Sequence, residues 1–245
     1  MPANVEAPAA KSRKPWLIAL IILVCLALVA GIIAIVTGNA DKEPAPKRAA
    51  VGDIITLGTF EQDDNRANGP EPIQWRVLAR DGDRILVVSV YGLDRQLYDA
   101  DEWNYDLWET CDLKAWLEDD FMQTAFTAED RAAILEITCL SIEEATSLFA
   151  DDEDRICQAT PYAKSQGAWN GDDWGHTGKG CFWWMRSPGD DGVNDATYVT
   201  PYGELYTDGS GSWDPRVAVR PALWLSLYSL GSPVPRPALR LIGSW

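Results

Sequence analysis

The chain has 245 residues and a formal net charge of −16. Residues 51–245 carry 15 Lys and Arg against 34 Asp and Glu, a net charge of −19. A surface this acidic excludes nucleic acid, whose phosphates need a basic partner, and it disfavours anionic lipid headgroups while permitting cations.

Residues 16–38 are predicted to form a transmembrane helix between a cytoplasmic tail, residues 1–15, and a linker, residues 39–50. Residues 16–36 are 21 consecutive residues without a charge, and such a helix crosses the roughly 30 Å hydrocarbon core of a bilayer. A secretory signal peptide is the alternative, but its apolar core is shorter. Basic residues flank both sides and lie closer on the amino-terminal side. We therefore expect a single-pass protein of the cell membrane with its N-terminus inside and its domain extracytoplasmic.

The first part of the domain is predicted to be a β-meander. Strands are indicated at residues 52–60, at 73–79, where apolar and polar residues alternate, and at 84–91, which is uniformly apolar and β-branched. The dipeptide Asp81-Gly82 between the last two is a strong hairpin signal.

Helices are predicted in the middle of the chain. Their starts are marked by four residues that can cap a helix: Asp112, Thr127, Ser141 and Thr160. The helix after Thr127 is expected to include residues 132–135, and Glu144 completes a capping box with Ser141.

The last part of the domain combines strands with glycine-rich loops. Residues 167–180 contain five glycines and are not expected to form a regular element; a second such loop spans residues 208–214. Strands are predicted at four places: 183–186, 197–199, 204–207 and 216–225. Residues 228–245 remain as a C-terminal tail.

Four segments resemble one family. Residues 52–55 (GDII), 72–78 (PIQWRVL), 183–189 (WWMRSPG) and 219–224 (VRPALW) are similar to the DUF6273 domains of bacterial, often membrane-anchored or secreted, proteins. The resemblance covers residues 51–227. It implies no activity.

The end of the domain is more distantly similar to the C-type-lectin-like fold of formylglycine-generating-enzyme-like domains, which close with a Trp-Arg-Ser strand and a terminal Arg-Pro strand. Trp184, Arg186 and Arg220 occupy the corresponding places. The resemblance implies an α+β domain with antiparallel strands, mid-chain helices and long Gly/Trp-rich loops. The metal site of the enzymatic members has no counterpart in this sequence.

The candidate ligand-binding residues lie in the glycine-rich loops. Trp169, Trp174 and Trp213 are loop tryptophans, and Asp172 and Asp173 lie between two of them. Such side chains can stack on sugar rings and bond hydroxyl groups. The alternative is that the tryptophans fold back to cover the core.

A second group is assigned to the structural core because its members lie in predicted strands: Trp183, Trp184, Arg186 and Arg220. The two arginines could bind a carboxylate ligand, but we expect each to pair with a carboxylate of the domain through its planar fork.

The domain contains Cys111, Cys139, Cys157 and Cys181. In an extracytoplasmic domain two disulfides are plausible, with three possible pairings, and four buried free thiols are the alternative.

No cofactor is predicted, although calcium is possible. Asp190, Asp191, Asn194 and Asp195 offer the oxygen ligands that calcium prefers, without the full twelve-residue loop pattern. The single histidine, His176, has no nucleophile motif around it and is interpreted as a loop residue.

The sequence thus predicts a membrane-anchored, extracytoplasmic binding or sensing module without catalytic residues, whose ligand is a glycan or a protein segment. A metal-dependent enzyme of the formylglycine-generating-like class and a structural protein of the cell envelope are the alternatives.

Overall fold

The computed structural model describes residues 49–100, 108–169, 180–189, 195–211 and 214–229. They form a mixed α+β domain with two five-stranded sheets, so the predicted fold class is confirmed at this level. Within these segments no helix combines the length and the apolar character needed to cross a bilayer. The predicted transmembrane helix lies outside the described residues.

The strands are short, and most belong to antiparallel pairs. In chain order they are β1 (Ile54–Phe60), β2 (Glu71–Asp81), β3 (Arg84–Ser89), β4 (Asp94–Arg95), β5 (Ile134–Thr138), β6 (Trp183–Pro188), β7 (Asp195–Val199), β8 (Leu205–Gly211), β9 (Ala218–Val219) and β10 (Ala222–Ser226). The first sheet has the order β1-β2-β3-β10-β5, and the second has the order β4-β9-β6-β7-β8. Only β6 and β9 run parallel among these pairs.

The helices are α1 (Asp112–Trp116), α2 (Met122–Ala125), α3 (Ala128–Ala133), α4 (Ile142–Ser147), α5 (Asp152–Arg155) and α6 (Pro161–Ser165). A π-helical segment, Leu117–Phe121, joins α1 to α2.

Strand β3 of the first sheet and the start of β6 in the second are buried on both faces. Along residues 85–88, alternate side chains enter two different apolar clusters, and all four are buried. Trp184 and Trp183 divide in the same way between the clusters. Buried strands of this kind read as continuous apolar runs rather than as an alternation, which is why β3 and β6 were recognisable in the sequence.

Local signals located most helix starts correctly. Thr127 and Ser141 both form complete capping boxes, and Thr160 caps α6 ahead of a proline. The prediction at Asp112 was wrong by one residue, because Cys111 is the cap and its sulfur accepts a hydrogen bond from the Lys114 amide. The Asp112 carboxylate instead accepts from the Ala100 amide at 3.0 Å.

The predicted helix over residues 132–135 was wrong in its second half. Helix α3 ends at Ala133, and Ile134 begins β5, which pairs with β10 at the edge of the first sheet. Ile137 and Thr138 are β-branched and buried while Leu135 is 53 % exposed. Side chains of this shape favour a half-buried strand, and pairing with β10 outweighs the helix propensity of the preceding alanines.

The predicted closing strand over residues 216–225 is two strands. β9 belongs to the second sheet and β10 to the first, and the chain changes sheets at Arg220 and Pro221. Pro221 has no amide proton to give to a ladder, but its carbonyl accepts from the Ser89 amide at 2.9 Å. One short segment therefore ties the two sheets together.

Candidate functional site

A cleft with aromatic walls lies at the β7–β8 end of the second sheet. Its volume is about 340 Å³. We call it the aromatic cleft, and its lining residues are Trp169, Phe182, Tyr198, Thr200, Pro201, Tyr202, Glu204 and Tyr206.

The hairpin of β7 and β8 builds one wall of the aromatic cleft. Tyr198 and Tyr206 are directly opposite each other in the antiparallel register. Their rings stack with centroids 4.8 Å apart and planes 15° from parallel. Cross-strand aromatic pairs of this kind stabilise the hairpin while presenting a flat apolar surface. Tyr206 is 38 % exposed, so part of that surface faces solvent.

Trp169 and Phe182 extend the row of rings. The Phe182 ring lies edge-on between Trp169 and Tyr198, with centroids 5.4 Å from each. Backbone hydrogen bonds fix both residues: the Trp169 amide donates to the Arg216 carbonyl, and the Phe182 carbonyl accepts from the Ala218 amide, each at 2.9 Å. The four rings are therefore positioned by the backbone of the strands and of the segments next to them, and not only by contacts between the rings.

The β7–β8 turn forms the rim. The Thr200 amide donates to the Glu204 carbonyl at 2.8 Å, and the Thr200 hydroxyl accepts from the Glu204 amide at 3.2 Å. Gly203 donates to the Thr200 carbonyl at 2.9 Å. Tyr202 is 39 % exposed beside Glu204. The turn is therefore hydrogen-bonded at its base while its side chains remain accessible.

An ion pair lies next to Tyr198. Arg216 donates to both carboxylate oxygens of Asp214, at 2.9 and 2.7 Å. Burial raises the pKa of Asp214, but the hydrogen bonds from Arg216 outweigh it and lower the pKa below its ordinary value. Burial, followed by the nearby Tyr206 and Asp214, raises the pKa of Tyr198 to about 12. Its phenol is therefore neutral at physiological pH and available as a hydrogen-bond donor.

Arg186 lies away from the aromatic cleft and joins the second sheet to α4. Its guanidinium donates to the Glu144 carboxylate at 2.6 Å and to the Cys139 carbonyl at 2.7 Å. Burial raises the pKa of Glu144, but the bonds from Arg186 and Ser141 lower it overall. This is the internal carboxylate pairing that the sequence predicts for Arg186.

Arg220 is 3 % exposed and has different partners from those expected. It donates to the carbonyls of Ser89 and Arg155, at 3.0 and 3.1 Å. Its guanidinium also lies 4.9 Å from the centre of the Trp183 ring. Two carbonyl groups and an aromatic face, rather than a bidentate carboxylate, hold this charge at the junction of the two sheets.

The four cysteines among the described residues are buried free thiols, and they lie in two neighbouring pairs, Cys111 with Cys139 and Cys157 with Cys181. The Cys181 thiol is hydrogen-bonded to Cys157, and the Cys181 amide donates to the Cys157 carbonyl at 2.7 Å. Burial raises the pKa of Cys139, and the neighbouring Cys111 raises it further. The two predicted disulfides stay a prediction, but this arrangement favours one of the three pairings.

The acidic run that caps and begins α5 has structural partners. Asp151 caps α5, Asp152 pairs with Arg155, and Asp154 accepts from Arg76 at 2.6 and 2.9 Å. These carboxylates therefore organise the protein rather than a cation site.

A separate group of carboxylates, Glu61, Asp63 and Glu71, has oxygens within 4.8 Å of one another. Backbone amides of the same loop donate to all three. Their grouping follows from the loop's own hydrogen bonds.

The structure places one predicted ligand residue, Trp169, in the aromatic cleft, where it is 9 % exposed. Four others lie outside the described residues: Asp172, Asp173, Trp174 and Trp213. The calcium candidates Asp190, Asp191 and Asn194 also lie outside them, as does the side chain of Asp195, so the calcium site stays a prediction.

Sequence reasoning missed the tyrosines of the aromatic cleft. Tyr198, Tyr202 and Tyr206 recur at a spacing of four, and Gly203 marks a turn beside the middle one. A turn centred on Tyr202 places the first and last on the same face of a hairpin. That spacing was the signal that could have identified them.

Comparison with known proteins gives one match. The family model for a domain of unknown function, DUF6273, matches residues 82–147 and 139–227. No curated protein and no solved structure matches the chain.

Proposed function

The chain belongs to the DUF6273 family, and we propose that it is a non-catalytic binding or sensing module that holds its ligand in the aromatic cleft. The observation that supports this is the convergence of five aromatic side chains on one cleft of about 340 Å³. Ligand pockets usually have volumes of about 300–1,000 Å³, apolar and aromatic walls and a few polar groups that fix orientation.

The ligand in this proposal is a glycan or a peptide. The tyrosine and tryptophan faces provide apolar contact with a sugar ring or with a side chain, and the phenol groups provide hydrogen bonds. Both classes can present one small group to a cleft of this size while the rest of the ligand stays on the surface.

The proposal places the module outside the cell, held to the membrane by residues 16–38 with the N-terminus inside. The uncharged run within this segment supports an anchor. Protease added to intact cells should remove the domain while leaving a cytoplasmic marker protein whole. A domain that resists the protease until the cells are lysed would contradict this placement.

The finer fold assignment, a C-type-lectin-like domain, is also a proposal. It is supported by the position of β6, which carries Trp184 and lies next to β9, because the resembling domains close with the corresponding pair of segments. A crystal structure that cannot be superposed on a C-type-lectin domain over both sheets would contradict it.

The binding site is tested with a glycan array and a peptide library. The wild-type chain is compared with the double variant Tyr202→Ala, Tyr206→Ala. Tyr228→Ala is the matched control, since Tyr228 is 69 % exposed and lies outside the aromatic cleft. We expect the double variant to lose the ligands of the wild type while the control keeps them, with all three proteins folded at the assay temperature by circular dichroism. Equal binding by all three proteins would refute the site.

A further inference from the structure

We infer that the aromatic cleft binds the guanidinium group of an arginine side chain, so that the ligand is a basic peptide rather than a glycan. This inference rests on the proposed function, because it names the group that the same cleft holds.

The walls of the cleft have the chemistry that a cation needs. The faces of Trp and Tyr rings carry negative electrostatic potential and attract a cation placed within about 6 Å of the ring centre. Trp169, Tyr198 and Tyr206 belong to one continuous row of rings. A guanidinium group is planar and weakly hydrated, so it stacks on such rings at a lower desolvation cost than an ammonium group.

The charges around the cleft also favour a cation. Glu204 is the one residue with a formal charge among the described residues that line it. The bond from the Thr200 amide to the Glu204 carbonyl and the bond from the Glu204 amide to the Thr200 hydroxyl fix the backbone of Glu204 at the rim. The nearby cation, Arg216, is balanced by its two hydrogen bonds to Asp214. A guanidinium group that enters the cleft therefore meets the Glu204 carboxylate and the ring faces. The positive charge of Arg216 does not repel it strongly, because Asp214 neutralises that charge.

The same contact recurs inside this domain. The guanidinium carbons of Arg220, Arg84 and Arg76 lie 4.9, 5.0 and 5.4 Å from the centres of aromatic rings. A ligand arginine in the cleft would repeat an arrangement that the chain uses for its own side chains. The net charge of −19 beyond residue 50 also attracts basic peptides over a longer range.

A neutral sugar would gain less from these groups. It could stack on the rings and bond the phenols, but it would not gain the attraction between a cation and the Glu204 carboxylate. A peptide with an acidic side chain would be repelled by that carboxylate. The combination of rings and one carboxylate therefore selects a cation.

The test is calorimetric titration of the full-length chain with two peptides, acetyl-Ala-Ala-Arg-Ala-Ala-amide and the same peptide with citrulline in place of arginine. Citrulline has nearly the shape of arginine without its charge. We expect the arginine peptide to bind roughly tenfold more tightly than the citrulline peptide at low salt, and the difference between the two affinities to become smaller as salt is added. Methyl glycosides serve as the glycan probe.

Glu204→Gln should weaken binding of the arginine peptide several-fold, on the order of threefold to fivefold, and leave the citrulline peptide unchanged. Glu143→Gln, an exposed substitution on α4, is the control and should change neither.

The outcomes separate this inference from the proposed function. Equal affinity for the two peptides, or binding of a methyl glycoside and of neither peptide, overturns the arginine inference and leaves the binding site standing. No binding of any probe at concentrations on the order of 10 mM, together with no hits on the array and library, overturns both.

Discussion

The β7–β8 turn gives the sharpest prediction about stability, through the substitution Gly203→Ala. Gly203 has a φ of +83°. A Cβ added there would overlap the carbonyl oxygen of Asp152, with the carbonyl carbon at 2.5 Å and the Asp152 Cα at 3.1 Å. All of these are backbone atoms, so no side-chain rotation relieves the overlap. Either the turn or the start of α5 has to move.

The expected loss in the free energy of unfolding has two parts. A non-glycine residue at positive φ costs roughly 1–2 kcal/mol, and forced displacement in a packed region costs about 1–3 kcal/mol. Movement of α5 would also strain the bonds of buried Arg155, which donates to the Gly203 carbonyl at 2.8 Å and to the Ala145 carbonyl at 3.2 Å. We expect Gly203→Ala to lower the free energy of unfolding by about 3 kcal/mol or more. That is a large share of the roughly 5–15 kcal/mol of a typical domain.

Urea unfolding followed by circular dichroism measures this loss, and Gly69→Ala is the matched control. Gly69 has the same φ of +83°, but apart from its two chain neighbours no atom of the described residues lies within 4 Å of the position that its added methyl group would take. The control should therefore lose only the conformational part, about 1–2 kcal/mol. Equal losses in the two variants would refute the argument that backbone overlap at Asp152 dominates.

Three further predictions concern buried polar groups. Glu144 has a folded pKa below the ordinary 4.5, so its contribution to stability is present above pH 4.5 and is lost as the pH falls through the folded pKa. Glu144→Gln should therefore cost about 1–3 kcal/mol at pH 7 and progressively less as the pH is lowered below 4.5 in urea unfolding. A constant cost across that range would contradict the pairing. Arg220→Lys should lower the free energy of unfolding by about 2 kcal/mol or more, because an ammonium group cannot reach both carbonyls and the ring. Arg84→Lys is the control and should cost under about 1 kcal/mol, because 52 % of the Arg84 side chain is exposed. Similar urea midpoints for the two variants would contradict the role of Arg220 at the junction of the sheets. Refolding of the reduced protein from urea in oxidised glutathione should link Cys157 to Cys181, with two protons and two electrons leaving the thiols and glutathione reduced to two thiols. Peptide mapping under non-reducing conditions should find no link from this pair to Cys111 or Cys139.

Local chemistry explains what could be predicted of the fold. Ser141 and Glu144 satisfy each other's backbone donors within one turn, so four residues suffice to locate the start of α4. The buried run of β3 is equally readable because no polar residue interrupts it. Strand β5 could not be predicted from its own residues, because it forms by pairing with β10, which lies far away in the sequence.

The aromatic cleft was only partly predictable for the same reason. Trp169 could be assigned to a binding surface because its neighbours are glycines and acids. Phe182 and Tyr198 lie in apolar segments and look like core residues, and their exposure depends on where the second sheet ends. The register that sets Tyr198 opposite Tyr206 is a property of the folded hairpin.

The position of β10 has a consequence for how the domain is made. Among the described residues β10 is the last strand, yet it lies inside the first sheet, between β3 and β5. Until residue 226 has been synthesised, β3 and β5 have no partner between them, and the segment that also supplies β9 is incomplete. Pairings between such distant segments form slowly and leave strand edges exposed in the meantime. The first sheet is therefore completed only once β10 has been made, and until then the edges of β3 and β5 that face β10 stay open to pairing with other chains.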